Sequence, residues 1–342
     1  MKPVRLEPNQ PPRFFDGGAA IAAFRGVPPS GRRAPEDWVA STTTLFGERE
    51  TGLTRLPDGR WLRDAIDADP EGYLGAAHAE RWGGDPALLV KLLDAAQRLP
   101  IHCHPDREFS RRHLDCPYGK TEAWVVLEVS GSHPAVFLGF RTDVDAAELA
   151  AMVDAQDTAA MLSLMNDVPV APGDAILVPA GLPHAIGEGV FVLELQEPTD
   201  LSILLEWEGF AIDGGRDGNV GLGFDVALGC VDRSAWSGAR LRELSARRTG
   251  AAARSDFEVL FPPAADPFFR AERWASGGRR ELDAGYSVLT ALAGSGRLTT
   301  QSGGDVTMRR GDLVLLPHGA GTAAISGSLQ VVRCRPPDPA VA

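Results

Sequence analysis

His102 and His104 stand two residues apart in a stretch that reads as a strand, so both imidazoles project from one face. Eighteen residues past His104 comes Glu122, at the start of a predicted strand from Thr121 to Val129. A third histidine, His184, follows Gly173-x5-Pro179-x-Gly181-x2, which reads as a strand ending in a tight turn. Three neutral imidazoles and one carboxylate make a nitrogen–oxygen site suited to a divalent first-row ion. Any one of these histidines alone would read as a satisfied core or surface residue. Together, at these spacings, they predict one divalent first-row metal ion per chain. His78, His113, His133 and His318 lack such a context and read as structural or solvated.

The elements that must position this set are mostly short strands. Pro86 to Ala96 is strongly apolar and enters a strand pattern. Ala123–Val129, Ala135–Phe140, Ala175–Pro179, Val190–Leu195 and Leu201–Trp207 continue it, with turn residues between. Residues 1–60 are turn-rich, with a short strand candidate at Trp38–Phe46, and 60–82 reads as loosely helical. A helical insertion is predicted over 143–165, with Thr142 or Asp143 as its cap. Residues 208–256 read as a connector with one short helix, Ser234–Ala246, after which the strand rhythm returns. Gly173-Asp-Ala-Ile-Leu-Val-Pro-Ala-Gly181 is echoed by Gly311-Asp-Leu-Val-Leu-Leu-Pro-His-Gly319. Gly, Asp, Pro and Gly fall in register, which predicts two related β domains. In the second copy the position of the ligand histidine is Thr322 and no His-x-His precedes it, so that domain reads as metal-free.

Composition narrows the classes. The chain has 342 residues, 44% hydrophobic and 23% charged, with a formal net charge of −12. An excess of 46 acids over 34 bases argues against nucleic-acid binding, which needs clustered cations. No apolar run approaches the roughly 20 residues of a membrane span, and Met1–Asn9 has no signal-like stretch. Four cysteines without a Cys-x-x-Cys pair fit a reducing compartment. A cytoplasmic protein with no nucleic-acid or membrane partner is expected. Thirty-eight glycines and 26 prolines exceed the ordinary share of roughly 12% and favour many turns joining strands. Lysine occurs only at Lys2, Lys91 and Lys120, so the two internal lysines stand out among arginines.

His-x-His, the later Glu and Gly-x5-Pro-x-Gly-x2-His are together similar to the metal signature of the cupin double-stranded β-helix. The longer stretches resemble one family more closely. Pro86–Asp106, PALLVKLLDAAQRLPIHCHPD, is similar to the corresponding segment of class I phosphomannose isomerases. So are Gly119-Lys-Thr-Glu-Ala-Trp124, Val168–Gly189 (VPVAPGDAILVPAGLPHAIGEG) and Glu194-Leu-Gln196. Leu289–Pro317 resembles that family's second cupin domain. The resemblance implies a mainly β fold of two cupin (jelly-roll) domains: a metal-binding one over 1–207, with the helical insertion, and a second over 257–342. It implies that His104, Glu122 and His184 bind zinc, with His102 where the family has a glutamine ligand. It also implies active-site roles for Lys91, Lys120 and Glu194, and a substrate-binding role for Asp200.

Two positions depart from the pattern. Pro100 stands where the family has a phosphate-holding serine, and Leu204 where it has a catalytic arginine. Neither side chain can bind an anion, so a pocket short of a fixed cation, a weak isomerase and a reduced preference for phosphorylated sugars are expected. The resemblance implies a zinc-dependent aldose–ketose isomerase converting mannose 6-phosphate to fructose 6-phosphate through an enediolate. An isomerase of another sugar, phosphorylated or not, a sugar-binding cupin without turnover and an iron-dependent cupin oxygenase remain open on the residues alone.

Overall fold

The computed structural model describes residues 1–245, 257–274 and 277–340. Its frame is four antiparallel sheets paired into two sandwiches. One sheet of the first sandwich runs, in spatial order, Glu36–Val39, Leu89–Ala95, Val190–Gln196, Glu122–Val129 and Ala175–Val178. The facing sheet runs Ile203–Leu204, His102–Cys103, His184–Ile186, Ala135–Phe140 and Met165–Pro169. Leu93, Trp124 and Val192 from the one and Val136, Leu138 and Ile186 from the other share a core.

Among the described residues the second sandwich repeats this order, lacking only a counterpart of Ile203–Leu204. Phe257–Val259, Arg270–Trp274, Gln330–Arg335, Ser287–Ala293 and Leu313–Leu316 form one sheet, and Arg279–Leu282, Ala323–Gly327, Ser295–Thr300 and Val306–Arg309 the other. The sequence echo has its structural counterpart here. Ala175–Val178 lies beside Glu122–Val129 as Leu313–Leu316 lies beside Ser287–Ala293. Val4–Arg5 then pairs with Leu313–Leu316, so the beginning of the chain sits on the second sandwich's sheet.

Leu89–Ala95 and Val190–Gln196 are buried at every residue because their sheet is covered on both faces. Alternate residues such as Val90, Leu92 and Leu193 pack against Val288, Leu313, Leu315 and Val332 of the second sandwich, with Phe24, Leu62 and Ile66 from the helices between. Each such side chain contributes about 1.5–3 kcal/mol on burial, so an apolar layer joins the two sandwiches.

Some local expectations change. Residues 143–165 hold two helices, Ala146–Asp154 and Thr158–Leu164, because Gln156 takes a left-handed backbone (φ 50°) between them. The first is capped by Asp145, not by Thr142 or Asp143, through a 2.8 Å bond from the Ala147 N–H. Leu201–Trp207 pairs as a strand only at Ile203–Leu204, since beyond it Leu205 and Glu206 both donate to the Ile101 carbonyl. The early strand is Glu36–Val39, ended by Ala40 at φ 50°. The connector helix is Gly238–Leu244, capped by Ser237, and Ala246 lies outside the described residues. No helix among the described residues is long and apolar enough to cross a membrane.

Candidate metal centre

The facing sheet supplies the imidazoles. His102 and His184 are register partners on adjacent strands, so their side chains share a face. His104 follows directly, and the three rings have centroids 4.2–4.9 Å apart. The turn before His184 is held by Gly181, whose φ of +84° favours glycine and whose N–H donates to the His104 carbonyl at 2.7 Å. Glu122 comes from the opposite sheet, its oxygens 3.0 Å from His104 Nε2 and 3.3 Å from His184 Nε2.

The protonation pattern follows from the backbone. Nδ1 of His102, His104 and His184 lies 2.8 Å from the carbonyls of Pro100, Leu201 and Leu182 respectively, so each Nδ1 must carry the proton and donate it. Each Nε2 therefore presents a bare lone pair toward its neighbours, and the three ligand atoms fall within 4.8 Å of one another. His184 Nε2 has no hydrogen-bond partner although it is fully buried. Lone pairs facing a carboxylate at 3.0–3.3 Å need a cation between them. Lys120 Nζ supplies part of that charge, 2.8 Å from His104 Nε2 and 2.7 Å from Glu122 Oε2. The donor set fits a divalent metal: three neutral nitrogens, one carboxylate, and each ring oriented by a carbonyl behind it.

Electrostatics agree with neutral imidazoles. Burial, then the neighbouring rings His184 and His104, lowers His102 well below the usual imidazole value. Burial and the Lys120 charge bring His104 down to about 3 against the pull of Glu122. Burial alone would raise Glu122, but Lys120 and His104 outweigh it and hold the carboxyl well below its ordinary range. Trp124 Nε1 donates to Glu122 Oε1 at 3.0 Å and fixes its orientation.

A narrow cleft opens beside these residues, lined by His102, Lys120 and Glu122. Trp38, Lys91, Glu194 and Trp124 form one row across four strands, and a second row, Leu204, His102, His184 and Leu138, faces it. Lys91 Nζ lies 3.4 Å from both Glu36 and Glu194, with the Trp38 ring 4.8 Å away. Burial and the Glu122 charge raise Glu194 above the usual carboxylate value, with Lys91 opposing. The structure thus brings together His102, His104, Glu122, His184, Lys91, Lys120, Glu194 and Asp200 around one pocket.

The expected shortage of a fixed cation needs correction. Leu204 is buried beside His102 and carries no charge, as its position predicts, but Arg13 reaches the same cavity from the N-terminal segment. Its guanidinium binds Asp200 through NH1 and NH2 at 3.1 and 3.2 Å and lies 3.1 Å from Glu36. Neither Arg141 nor Arg216 lines this inner cavity. Pro100 contributes a carbonyl to His102 instead of a hydroxyl, and Ser202 lines the pocket nearby. Arg13, Glu36, Trp38 and Ser202 were not singled out from the sequence. No metal-like spacing marks them, and the pairing of Arg13 with Asp200 spans 187 residues.

The remaining histidines are accounted for elsewhere. His78 Nε2 bonds the Asp85 carbonyl at 2.8 Å, and His133 meets Asp167 at the surface. His113 packs on Phe109, and His318 sits in a turn against Gly75. In the second sandwich Thr322 turns toward Gln301.

No protein-family model matches the chain. A curated relative, the mannose-6-phosphate isomerase ManA of Bacillus subtilis, is 25% identical over 358 residues, covering 97% of this chain and 98% of that one. Among solved structures, the mannose 6-phosphate isomerase from Bacillus subtilis superposes with a TM-score of 0.77 at 22% identity, over 98% of this chain and 100% of that one. A mannose 6-phosphate isomerase bound with zinc and yttrium gives a TM-score of 0.73 at 17% identity, over 99% and 100%. The sequence resemblance therefore runs nearly the full length of the chain, and the two-cupin fold is shared.

Proposed function

We infer that this relative of the mannose-6-phosphate isomerases is a zinc-dependent aldose–ketose isomerase. One observation carries the reading: three Nδ1-protonated imidazoles and a carboxylate converge beside a pocket that also holds a paired lysine and glutamate. His102, His104, Glu122 and His184 would hold the zinc, as suits a relative's zinc-bound structure. A zinc ion there supplies Lewis acidity to adjacent sugar oxygens.

The chain's own residues do the rest. Interconverting an aldose and a ketose moves a proton between neighbouring carbons through an enediolate. Glu194 is the candidate to take and return it. Its Oε1 is buried, has no hydrogen-bond partner and lines the cavity, and burial raises its proton affinity toward the working range of a base. Lys91, 3.4 Å away, keeps the carboxylate ionised enough to accept. Lys120 adds positive potential where negative charge develops. Phe14, Phe15, Leu93, Ile186 and Leu204 exclude water from the wall.

The test is proton exchange in deuterated water with zinc-loaded protein, over a panel of hexoses and their 6-phosphates. Deuterium incorporation next to the carbonyl, lost on Glu194→Gln, supports an isomerase. Oxygen consumption with the same sugars would instead point to an oxygenase.

A further inference from the structure

The inner pocket shares Arg13, Asp200, Ser202 and Leu204 with a wider outer cleft that also includes Phe46, Glu48, Arg216 and Asp217. Any substrate bound at the metal ligands extends its far end along this path. The charged groups on it are already matched. Lys120 meets Glu122 at 2.7 Å, Lys91 meets Glu36 and Glu194 at 3.4 Å, and Arg13 meets Asp200 and Glu36 at 3.1 Å. At the outer end Arg216 is paired with Asp217 at 2.7 Å. Every lysine and arginine lining the two cavities has a carboxylate partner. Beyond the metal ligands the inner wall carries Arg13, Lys91 and Lys120 against Glu36, Glu194 and Asp200, three cations matched by three carboxylates.

A phosphate ester carries about −1.5 to −2 charge near pH 7 and offers only acceptor oxygens. It needs several donors and no adjacent carboxylates. A sugar hydroxyl donates and accepts, so it suits a wall on which donors (Arg13, Lys91, Lys120) stand beside acceptors (Glu36, Glu194, Asp200). Two buried atoms there make no hydrogen bond, Arg13 Nε and Glu194 Oε1, though each faces an opposite charge, Glu36 at 3.1 Å and Lys91 at 3.4 Å. One is a donor and the other an acceptor. Leu204 and Pro100 add apolar surface to the same pocket. Resting on the isomerase reading above, we propose that the substrate is a neutral, unphosphorylated hexose, and that Asp200 and Glu36 set this preference by occupying Arg13.

The experiment uses the full-length, zinc-loaded protein. Deuterium exchange gives kcat/KM for D-mannose, D-fructose and D-glucose and for each 6-phosphate, and inorganic phosphate is added as a competitor. The expected result is a kcat/KM for at least one plain sugar equal to or above that of its phosphate, with no inhibition by millimolar phosphate. A tenfold or greater preference for every phosphate ester over its parent sugar overturns the proposal and leaves the isomerase reading standing. Exchange into none of the panel overturns both. Asp200→Asn should raise the phosphate-to-plain ratio of kcat/KM by tenfold or more, because it frees part of the Arg13 guanidinium. A ratio moves with specificity and is insensitive to the fraction of folded enzyme. Should this variant fail to fold, Leu204→Arg, which adds a cation beside His102, is expected to shift the ratio the same way. An unchanged ratio in a folded variant overturns the role given to Arg13 and its carboxylates.

Discussion

Lys91 and Glu194 are register partners on adjacent buried strands, their charged ends 3.4 Å apart, and the Glu194 oxygen involved has no hydrogen bond. Burial and Glu122 raise the proton affinity of Glu194, and Lys91 lowers it. A base works only when ionised, so exchange should fall off on the acid side at a pH above the ordinary carboxylate value. Removing the lysine takes away the opposing term. Lys91→Met should move that acid limb to higher pH, and Glu194→Gln should cut the rate about 10²–10⁴-fold while leaving metal content intact. Profiles of kcat against pH check both, and a limb that moves down in Lys91→Met would contradict the assignment.

Metal content should track the imidazoles. His104→Ala and His184→Ala are expected to lose the ion, measured by elemental analysis after reconstitution. His102→Gln should retain it, since an amide oxygen can replace one imidazole in the set. Trp124→Phe deletes only the hydrogen bond to Glu122, and a loss of about tenfold or more in zinc affinity is expected. Unchanged affinity in Trp124→Phe would show that Glu122 needs no such support.

Acid stability should depend on Glu36. Burial disfavours its charge, but Arg13, Lys91 and the Trp38 N–H outweigh this and bring its pKa down to about 2 from 4.5. A carboxyl depressed on folding contributes stability that is present above its unfolded value, near 4.5, and lost as pH falls through about 2. The contribution is of order 3 kcal/mol. Glu36→Gln should therefore lower stability at neutral pH and show a weaker loss between pH 4.5 and 2, as followed by urea unfolding across that range.

In the second sandwich Arg333 is fully buried, bound to Asp283 at 2.5 Å and to Ser287 at 3.2 Å. It is the counterpart of Glu194 in strand order, and its neighbour across the sheet is Glu272 where the first sandwich has Lys91. Arg333→Met should cost about 2 kcal/mol by leaving Glu272 less well paired. Zinc content and exchange rate should stay unchanged in the folded protein. A loss of metal in this variant would mean that the two sandwiches are coupled more tightly than their separate cores suggest.

The ligands were legible because their spacing is a backbone property. His102 and His104 share a strand face by alternation, and the Gly181 turn fixes His184 beside them. Lys91 and Lys120 stood out because lysine is otherwise so scarce. Arg13, Glu36 and Trp38 come from a turn-rich segment whose pattern says nothing of where it docks. Nothing near Leu204 in the sequence signals that Arg13 stands in the same pocket, bound by Asp200 and Glu36. A position in one strand was legible, but a side chain arriving from 187 residues away was not. The split of the 143–165 segment was equally hidden, since apolar spacing continues through Gln156 while its backbone reverses.

The short pairing of Val4–Arg5 with Leu313–Leu316 bears on the pocket at a distance. Arg13 lies only eight residues along the chain from Arg5. Asn9, on the way, is tied to Asp37 by a 2.7 Å bond and to the Trp38 and Gly52 carbonyls. The half that carries none of the three clustered histidines thus anchors the arm that delivers a pocket arginine. Cutting the chain after residue 207 would strip the apolar back from the Lys91 and Glu194 strands and release Val4–Arg5, leaving the Arg13 arm held from Asn9 onward only. The second sandwich is in this sense a fixture of the first: the residues that line the pocket lie between 13 and 204, while the strands and the arm that carry them rest on the other half of the polypeptide.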